Sequence, residues 1–208
     1  GMDRELKFEG STELDNGITV SVMQDTGDSL TYGNSQISFG NVGGFATIYV
    51  GSDSDPIDAV DDITPSAYEE ANGSGSGSYN DIGDQAGQMG IGAKFDLPIL
   101  GAVNYKYYPK IDSQKNADNV ASGITSGGEA VGSASSLTIK TDMSGLPLVG
   151  GFLDGATLTT GYGESDHSTV ANLDDAFDLT AAINYVNGPI SLGAVSYTHL
   201  RAHETTDN

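Results

Sequence analysis

Residues 177–185 read Phe-Asp-Leu-Thr-Ala-Ala-Ile-Asn-Tyr, the longest clean alternation of apolar and polar side chains in the sequence. A β-strand turns residues of one parity to one face of its sheet. Asn187-Gly188-Pro189 follows as a turn signal, because asparagine and glycine accept the positive φ of tight turns. The stretch therefore predicts a strand with one apolar face and a turn into the next strand. The apolar parity consists of Phe177, Leu179, Ala181, Ile183 and Tyr185.

The same alternation recurs along the chain and predicts an all-β protein. Asp15-Asn16-Gly17 joins the first two predicted strands, and Asn41-Val42-Gly43-Gly44 joins the next two. Apolar periods of two continue on either side of both turns, with about eight to ten residues in a strand. The predicted strands cover residues 5–14, 18–22, 35–40, 45–51, 88–97, 102–108, 137–143, 156–162, 177–185 and 190–192.

Short turns alternate with longer polar connections, which are expected at residues 26–33, 51–87, 109–134 and 164–175. A soluble β-sandwich also shows alternation, but it does not need every long connection at the same end. A membrane barrel does, with short turns at one end, long loops at the other, apolar residues towards lipid and polar residues towards the lumen. We therefore expect an antiparallel up-and-down transmembrane β-barrel.

The two parities of each strand would then face lipid and lumen. The expected outward set is Leu6, Phe8, Val103, Tyr105, Leu137, Ile139, Leu179 and Ile183. The expected inward set is Lys7, Glu9, Asn104, Lys106, Thr138 and Lys140. Lysines fall on the inward parity and predict a basic wall of the lumen, made of Lys7, Lys94, Lys106 and Lys140.

The longest connection, residues 51–87, is acidic and glycine-rich and contains no lysine or arginine. No apolar period of 2 or 3.6 runs through it, so it is neither a core strand nor an amphipathic helix. Composition alone also allows a disordered linker between two small β domains. The carboxylates of the run are Asp53, Asp55, Asp58, Asp61, Asp62, Glu69, Glu70, Asp81 and Asp84.

These carboxylates suggest calcium as a ligand, since Ca²⁺ prefers several oxygen ligands on a flexible backbone. Asp53, Asp55 and Asp58 lack the glycine and the closing glutamate of an EF-hand loop. Calcium at the acidic run is therefore an alternative to a solvated acidic surface and to a pore lining. The sequence indicates no other cofactor.

Composition argues against several classes of function. The formal net charge is −21 with eight lysines and arginines, which leaves no basic groove for nucleic acid. The absence of cysteine removes thiolate catalysis, disulfides and cysteine zinc sites. Residues 165–168 hold serine, aspartate and histidine, but catalytic triads are assembled from distant positions rather than from one polar loop. No enzyme is expected.

Both ends of the sequence carry signs of artificial origin. The first residues show no charged and apolar leader, so the chain is expected to lack a signal peptide and to begin inside a longer one. Residues 195–208 resemble a translated sequencing adapter and are expected to be non-native, with no strand continuing residues 190–193. His199 and His203 have the i, i+4 spacing of zinc ligands on a helix, but no third ligand is evident.

Three motifs resemble those of general bacterial porins, similar to the porins of alphaproteobacteria. Leu14-Asp15-Asn16-Gly17-Ile18-Thr19 is similar to a turn motif of that family, and residues 40–51 are similar to the hairpin that follows it. Asn187-Gly188-Pro189-Ile190-Ser191-Leu192-Gly193 is similar to the late strands. The order and spacing of these motifs extend the resemblance across residues 1–194.

The resemblance implies a partial barrel, with about ten strands of a roughly sixteen-stranded one. It implies a homotrimer in the lipid of a Gram-negative outer membrane, which passes ions and small hydrophilic solutes by passive diffusion. It places residues 51–87 where the family has the loop that folds into the barrel and narrows it.

The carboxylates of the acidic run outnumber the inward lysines, so a cation preference is expected for such a pore. The alternative is an acidic secreted or surface β-rich binding or adhesion protein, with no pore and with calcium as a possible stabiliser.

Overall fold

The protein is one antiparallel sheet of ten strands in the part of the chain that the structure describes. This computed structural model describes residues 6–27, 31–53, 55–57, 60, 89–111, 132–146, 153–166, 176–187 and 190–201. Each strand pairs with its neighbours in sequence, so the topology is up-and-down. The strands are β1 Lys7–Glu13, β2 Thr19–Gly27, β3 Thr31–Val42, β4 Ala46–Gly51, β5 Gly90–Leu97, β6 Gly101–Ile111, β7 Gly132–Asp142, β8 Ala156–Asp166, β9 Ala176–Asn187 and β10 Ile190–Arg201.

The predicted all-β class and the up-and-down antiparallel order are confirmed. The first turn illustrates why the sequence folds in this way. Gly17 has a φ of 81° and donates its N–H to the carbonyl of Leu14 at 2.8 Å, and Asn16 accepts the N–H of Ile18 at 3.2 Å. Among the described residues, no helix is long and apolar enough to cross a membrane.

Several strands extend beyond the predicted bounds. The expected polar connection at 26–33 is wrong, because β2 reaches Gly27 and β3 begins at Thr31. A bulge between Gln24 and Thr26 lets the two strands continue pairing, Thr26 with Tyr32 and Gly27 with Thr31. Apolar periodicity underestimates such ends, since the backbone ladder does not require apolar side chains.

The tail also differs from expectation. β10 continues to Arg201, and the last residue pair between β9 and β10 is Ala176 with Arg201. The prediction that residues after 194 form no strand is therefore wrong. The edge of β9 presents a row of backbone donors and acceptors that a following extended segment can pair with.

The register places every strand's apolar parity on the same face of the sheet. One row of paired residues crosses nine strands as Thr12, Val20, Phe39, Ile48, Ala93, Tyr105, Leu137, Tyr162 and Leu179. We call this the outer face. Large apolar side chains are exposed on it, among them Phe8, Val22, Ile37, Ile91 and Leu179.

The predicted separation of the two parities is confirmed for the residues within strands, because the expected outward set lies on the outer face and the expected inward set on the opposite face, which we call the inner face. Which face contacts lipid stays a prediction. Val103 is only 6% exposed although it faces outward. Its partners across the neighbouring strands are Phe95 and Ile139, and larger side chains at that spacing cover a smaller one.

The buried part of the molecule lies on the inner face. Lys106 and Ser136 of this face are 0% exposed, and Thr180 is 1% exposed. Ile57 and Val60, which follow β4, are each 1% exposed. The core therefore forms between the inner face and a chain segment that crosses it, rather than on the apolar side of the sheet.

Gly101 is a sensitive position for this register. It has a φ of 92°, and a Cβ there would overlap the carbonyl oxygen of Lys140 on the neighbouring strand. Gly101→Ala is expected to lower the free energy of unfolding by about 1–3 kcal/mol, because it adds a clash to a left-handed backbone conformation. Gly10→Ala is the control, since a Cβ at Gly10 meets nothing within 4 Å. Equal urea midpoints for the two variants would contradict this register.

Candidate functional site

The candidate site is the inner face where the chain crosses it after β4. We call the described residues Ser52, Asp53, 55–57 and Val60 the covering segment. Its start is tied to β3, because Ser52 donates its N–H to the carbonyl of Ser35 at 2.8 Å and its Oγ accepts the N–H of Ser35 at 3.1 Å. Gly51 precedes it, and a Cβ there would overlap the Ser35 carbonyl oxygen. The segment thus leaves the sheet at a fixed point.

Asp55 is the centre of the contacts between the covering segment and the sheet. Its side chain is 1% exposed. Oδ2 accepts hydrogen bonds from the Tyr108 hydroxyl at 3.0 Å and from the Ser136 hydroxyl at 3.1 Å. Oδ1 accepts the N–H of Ile57 at 2.9 Å. One carboxylate therefore joins the segment to β6 and to β7, and closes a turn within the segment itself.

Lys106 provides a second attachment. Its Nζ donates to the backbone carbonyl of Asp53 at 2.9 Å and lies 4.8 Å from the centre of the Tyr108 ring. Its charge is attracted by Asp55 and Asp53 and is repelled by Lys94. A buried ammonium needs such partners, since an unpaired charge away from water costs several kcal/mol. The lysine and the carboxylate stabilise each other's burial.

The apolar residues of the covering segment fit against small residues of the sheet. A Cβ on Gly161 would lie 2.5 Å from Thr180 Oγ1 and 3.4 Å from Ile57 Cγ1, so only glycine leaves room there. Val60 donates its N–H to the Ile57 carbonyl at 2.8 Å, which keeps the two apolar residues in one turn. Gly161 on β8 and Thr180 on β9 thereby leave space for the Ile57 side chain on the inner face.

Tyr49 extends the same surface towards β5. Its hydroxyl donates to Asn104 Oδ1 at 2.7 Å, and its ring lies over Gly92, where a Cβ would overlap the ring. Lys94 Nζ is 5.1 Å from the ring centre. The inner face thus carries a fixed polar surface with lysine ammonium groups beside aromatic rings.

The predicted acidic residues divide into two groups. Asp53 is partly exposed and Asp55 is buried within the covering segment. The other members of the predicted set lie outside the described residues: Asp58, Asp61, Asp62, Glu69, Glu70, Asp81 and Asp84.

The predicted lysines lie on the inner face, but only Lys106 is described in contact with the covering segment. Lys94 and Lys140 are exposed. Lys7 is also exposed and forms an ion pair with Glu9, Nζ to Oε1, at 2.8 Å. The contacts of Asp55 with Tyr108 and Ser136 were not predicted. Parity places both hydroxyls on the inner face, but it carries no signal for which loop carboxylate meets them.

Calcium at the acidic run stays a prediction. Within the described ranges, no group of three or more His, Cys, Asp or Glu side chains is arranged to hold a metal ion. The described oxygens of Asp55 accept hydrogen bonds from the protein. His199 belongs to a strand in the described chain, not to a helix, so the helical i, i+4 zinc geometry does not apply to it.

Comparison with known proteins returned no match to this chain among family models, curated proteins or solved structures.

The hydrogen bonds of Asp55 lead to a prediction on stability. Asp55→Ala removes the acceptor of two buried hydroxyls and is expected to lower the free energy of unfolding by about 2–4 kcal/mol. Tyr108→Phe is expected to cost less, and a double-mutant cycle of the two should show coupling of about 1 kcal/mol or more. Tyr105→Phe on the outer face is the control and should stay within about 0.5 kcal/mol of the original chain. Additive effects of Asp55→Ala and Tyr108→Phe in urea unfolding would show that this contact is not formed.

Proposed function

We propose that this chain forms part of the wall of an outer-membrane porin, in which the outer face contacts lipid and the inner face lines an aqueous channel. One observation carries the proposal: apolar side chains are exposed across the outer face, while the opposite face is polar and carries the covering segment. Leu179 and Ile91 are 51% and 50% exposed, whereas Lys106 is 0% exposed. This is the reverse of the arrangement in a water-soluble sheet.

The energetics favour a non-aqueous partner for the outer face. Removing apolar surface from water contributes about 25 cal/mol per Å². A sheet in water buries its apolar face against a second layer. Lipid serves the same purpose in a transmembrane sheet, and strands of about 9–11 residues span a bilayer when tilted. Most of the strands are close to that length, for example β6 with 11 residues and β9 with 12.

The inner face supports a channel that discriminates between ions. The covering segment lies across β6 to β8 and reduces the open width beside it. Asp53 and the exposed lysines Lys94 and Lys140 place fixed charges of both signs on this side. Fixed charges on a pore wall select ions by electrostatic attraction. The further elements of the proposal are a closed barrel of roughly sixteen strands, a homotrimer and a Gram-negative outer membrane.

The lipid contact is testable with single tryptophans, because the chain contains none. Ile37→Trp places the reporter on the outer face of β3, and Ser38→Trp places it on the inner face of the same strand. After reconstitution into phosphatidylcholine vesicles, brominated lipid is expected to quench Ile37→Trp at least about threefold more than Ser38→Trp, because quenching needs contact with acyl chains. Aqueous iodide should show the opposite order.

Two outcomes separate the alternatives. Iodide quenching of both reporters, with no effect of brominated lipid, would indicate a water-soluble binding or adhesion protein. Equal quenching of both reporters by brominated lipid would contradict the division of the sheet into two faces.

Ion selectivity is a separate prediction. Pores of this protein in planar bilayers are expected to prefer cations, because the acidic run adds carboxylates without any lysine or arginine. Changing four of these carboxylates to asparagine should shift the reversal potential towards anions: Asp53, Asp58, Asp61 and Asp62. Asp55 is kept, because neutralising it would also disturb the hydrogen bonds that hold the segment. The preference should weaken in about 1 M salt, where the Debye length is roughly 3 Å.

A matched control removes the same number of carboxylates at the end of the sheet with the short turns, using Asp15, Asp96, Asp142 and Asp154. The control should shift the reversal potential less than the four changes in the acidic run. Anion preference of the original pore, or an equal shift in both variants, would show that the acidic run does not set selectivity.

A further inference from the structure

The inner face of β1 to β3 contains an open groove that the covering segment does not occupy. Its volume is about 420 Å³, within the range of roughly 300–1,000 Å³ typical of ligand sites. Two adjacent rows of paired residues line its floor and walls. One row is Glu9, Met23 and Gln36, and the other is Ser11, Ser21 and Ser38.

The serines form a ladder of hydroxyl groups across three strands. Ser11 is paired with Ser21, and Ser21 with Ser38. Neighbouring strands are about 4.8 Å apart, so the ladder presents hydroxyls at regular short intervals. Each hydroxyl donates one hydrogen bond and accepts others. Such a row matches a ligand that also donates and accepts at several points.

Gln36 orients one hydroxyl of the ladder. Its Nε2 donates to Ser38 Oγ at 3.2 Å. That bond uses a lone pair of Ser38 Oγ and leaves the hydroxyl proton to donate to a ligand. The Oε1 of Gln36 is buried, has no hydrogen-bond partner in the described chain and is not offered to the groove. Met23, on the neighbouring strand, offers an adaptable apolar contact beside these polar groups.

The charge of the groove argues against an anion. Among the described residues that line it, Glu9 is the one charged side chain, and none is a lysine or an arginine. Glu9 already pairs with Lys7 at 2.8 Å, so its carboxylate is partly compensated by the protein. Phosphate and carboxylate ligands need positive partners. Hydroxyl-rich neutral molecules do not, and their C–H surfaces can contact Met23.

We propose that this groove is a binding subsite for neutral polyhydroxylated solutes, that is, sugars and polyols. Its role in selecting solutes for passage rests on the proposed function of the protein as a porin. The groove ends where Gln36 and Ser38 pair with Gly51 and Tyr49, immediately before the covering segment begins. A solute bound there is held beside the narrowed part of the inner face.

The test measures binding of sucrose to the 208-residue chain in detergent micelles. Saturation-transfer NMR titrations give the Kd for sucrose, with glucuronate and calcium chloride as charged comparisons. The double variant Ser21→Ala/Ser38→Ala is expected to weaken sucrose binding about tenfold, since it removes two polar partners. Ser11→Ala, at an exposed position of β1, should weaken sucrose binding about threefold. It serves as a second groove variant in case the double variant does not fold. Ser135→Ala on the outer face is the control and should leave the Kd unchanged.

Saturable sucrose binding that both groove variants weaken, and that Ser135→Ala does not, supports the subsite. Absence of sucrose binding, or equal Kd values in the groove variants and the control, overturns it. Tighter binding of glucuronate, or displacement of sucrose by calcium, overturns the assignment to neutral solutes. The brominated-lipid experiment is independent. Lipid contact without sucrose binding would contradict the proposed subsite but not the proposed porin. Sucrose binding without lipid contact would contradict the porin and therefore the role of the groove in passage.

Discussion

The carboxylate of Asp55 accepts hydrogen bonds from two strands, through the hydroxyls of Tyr108 and Ser136, while it is 1% exposed. An isolated carboxylate removed from water is strongly destabilising, so this residue can be buried only where donors and positive charge converge. The inner face of β6 and β7 provides that place, because Lys106 pairs with Ser136 across the two strands and its charge attracts Asp55. The course of the chain after β4 depends on this interaction. Ile57 and Val60 follow Asp55 and are each 1% exposed, and Asp55 Oδ1 accepts the N–H of Ile57.

Shape adds a second requirement on the same surface. Gly161 leaves space for Ile57, and Gly92 leaves space for the ring of Tyr49. On β1 to β3 the corresponding inner positions are serines, a methionine and a glutamine, which leave a polar groove open. The covering segment therefore lies where small residues and hydrogen-bond donors coincide, and the open groove lies on the other side of β4.

Period-two patterning was sufficient to predict the strands and the side to which their residues point. It predicted that Lys106 and Thr138 lie on one face of the sheet and Tyr105 and Leu179 on the other. The register agrees, because every antiparallel pairing preserves parity. It failed at strand ends such as Thr31, where pairing continues through polar residues. The end of β10 was missed for another reason: the resemblance of residues 195–208 to an adapter, not their periodicity, argued against a strand, yet an unpaired edge accepts any following extended segment.

The site was less predictable than the fold. Composition singled out the acidic run, and Asp55 lies in it, but the contact that Asp55 makes joins residues that are far apart in sequence. Tyr108 and Ser136 carry no local motif, and their role depends on two strands being neighbours. Lys106 was predicted to face the carboxylates of the acidic run; its charge is attracted by Asp55 and Asp53, and the bond of its Nζ to the backbone carbonyl of Asp53 was not predicted. Such pairings follow from tertiary structure, which periodicity does not encode.

The environment of the protein must suit both faces of the sheet. The outer face exposes residues such as Phe8, at 61%, and Leu192, at 61%, and the inner face buries charge. If lipid covers the outer face, no water is available there to satisfy unpaired backbone groups. Strands β2 to β9 meet this condition because each pairs with two neighbours, whereas β1 and β10 have one partner each within the described sheet. Lipid contact therefore requires that these two edges pair with each other or with further strands, and closure into a barrel is the arrangement that leaves no edge.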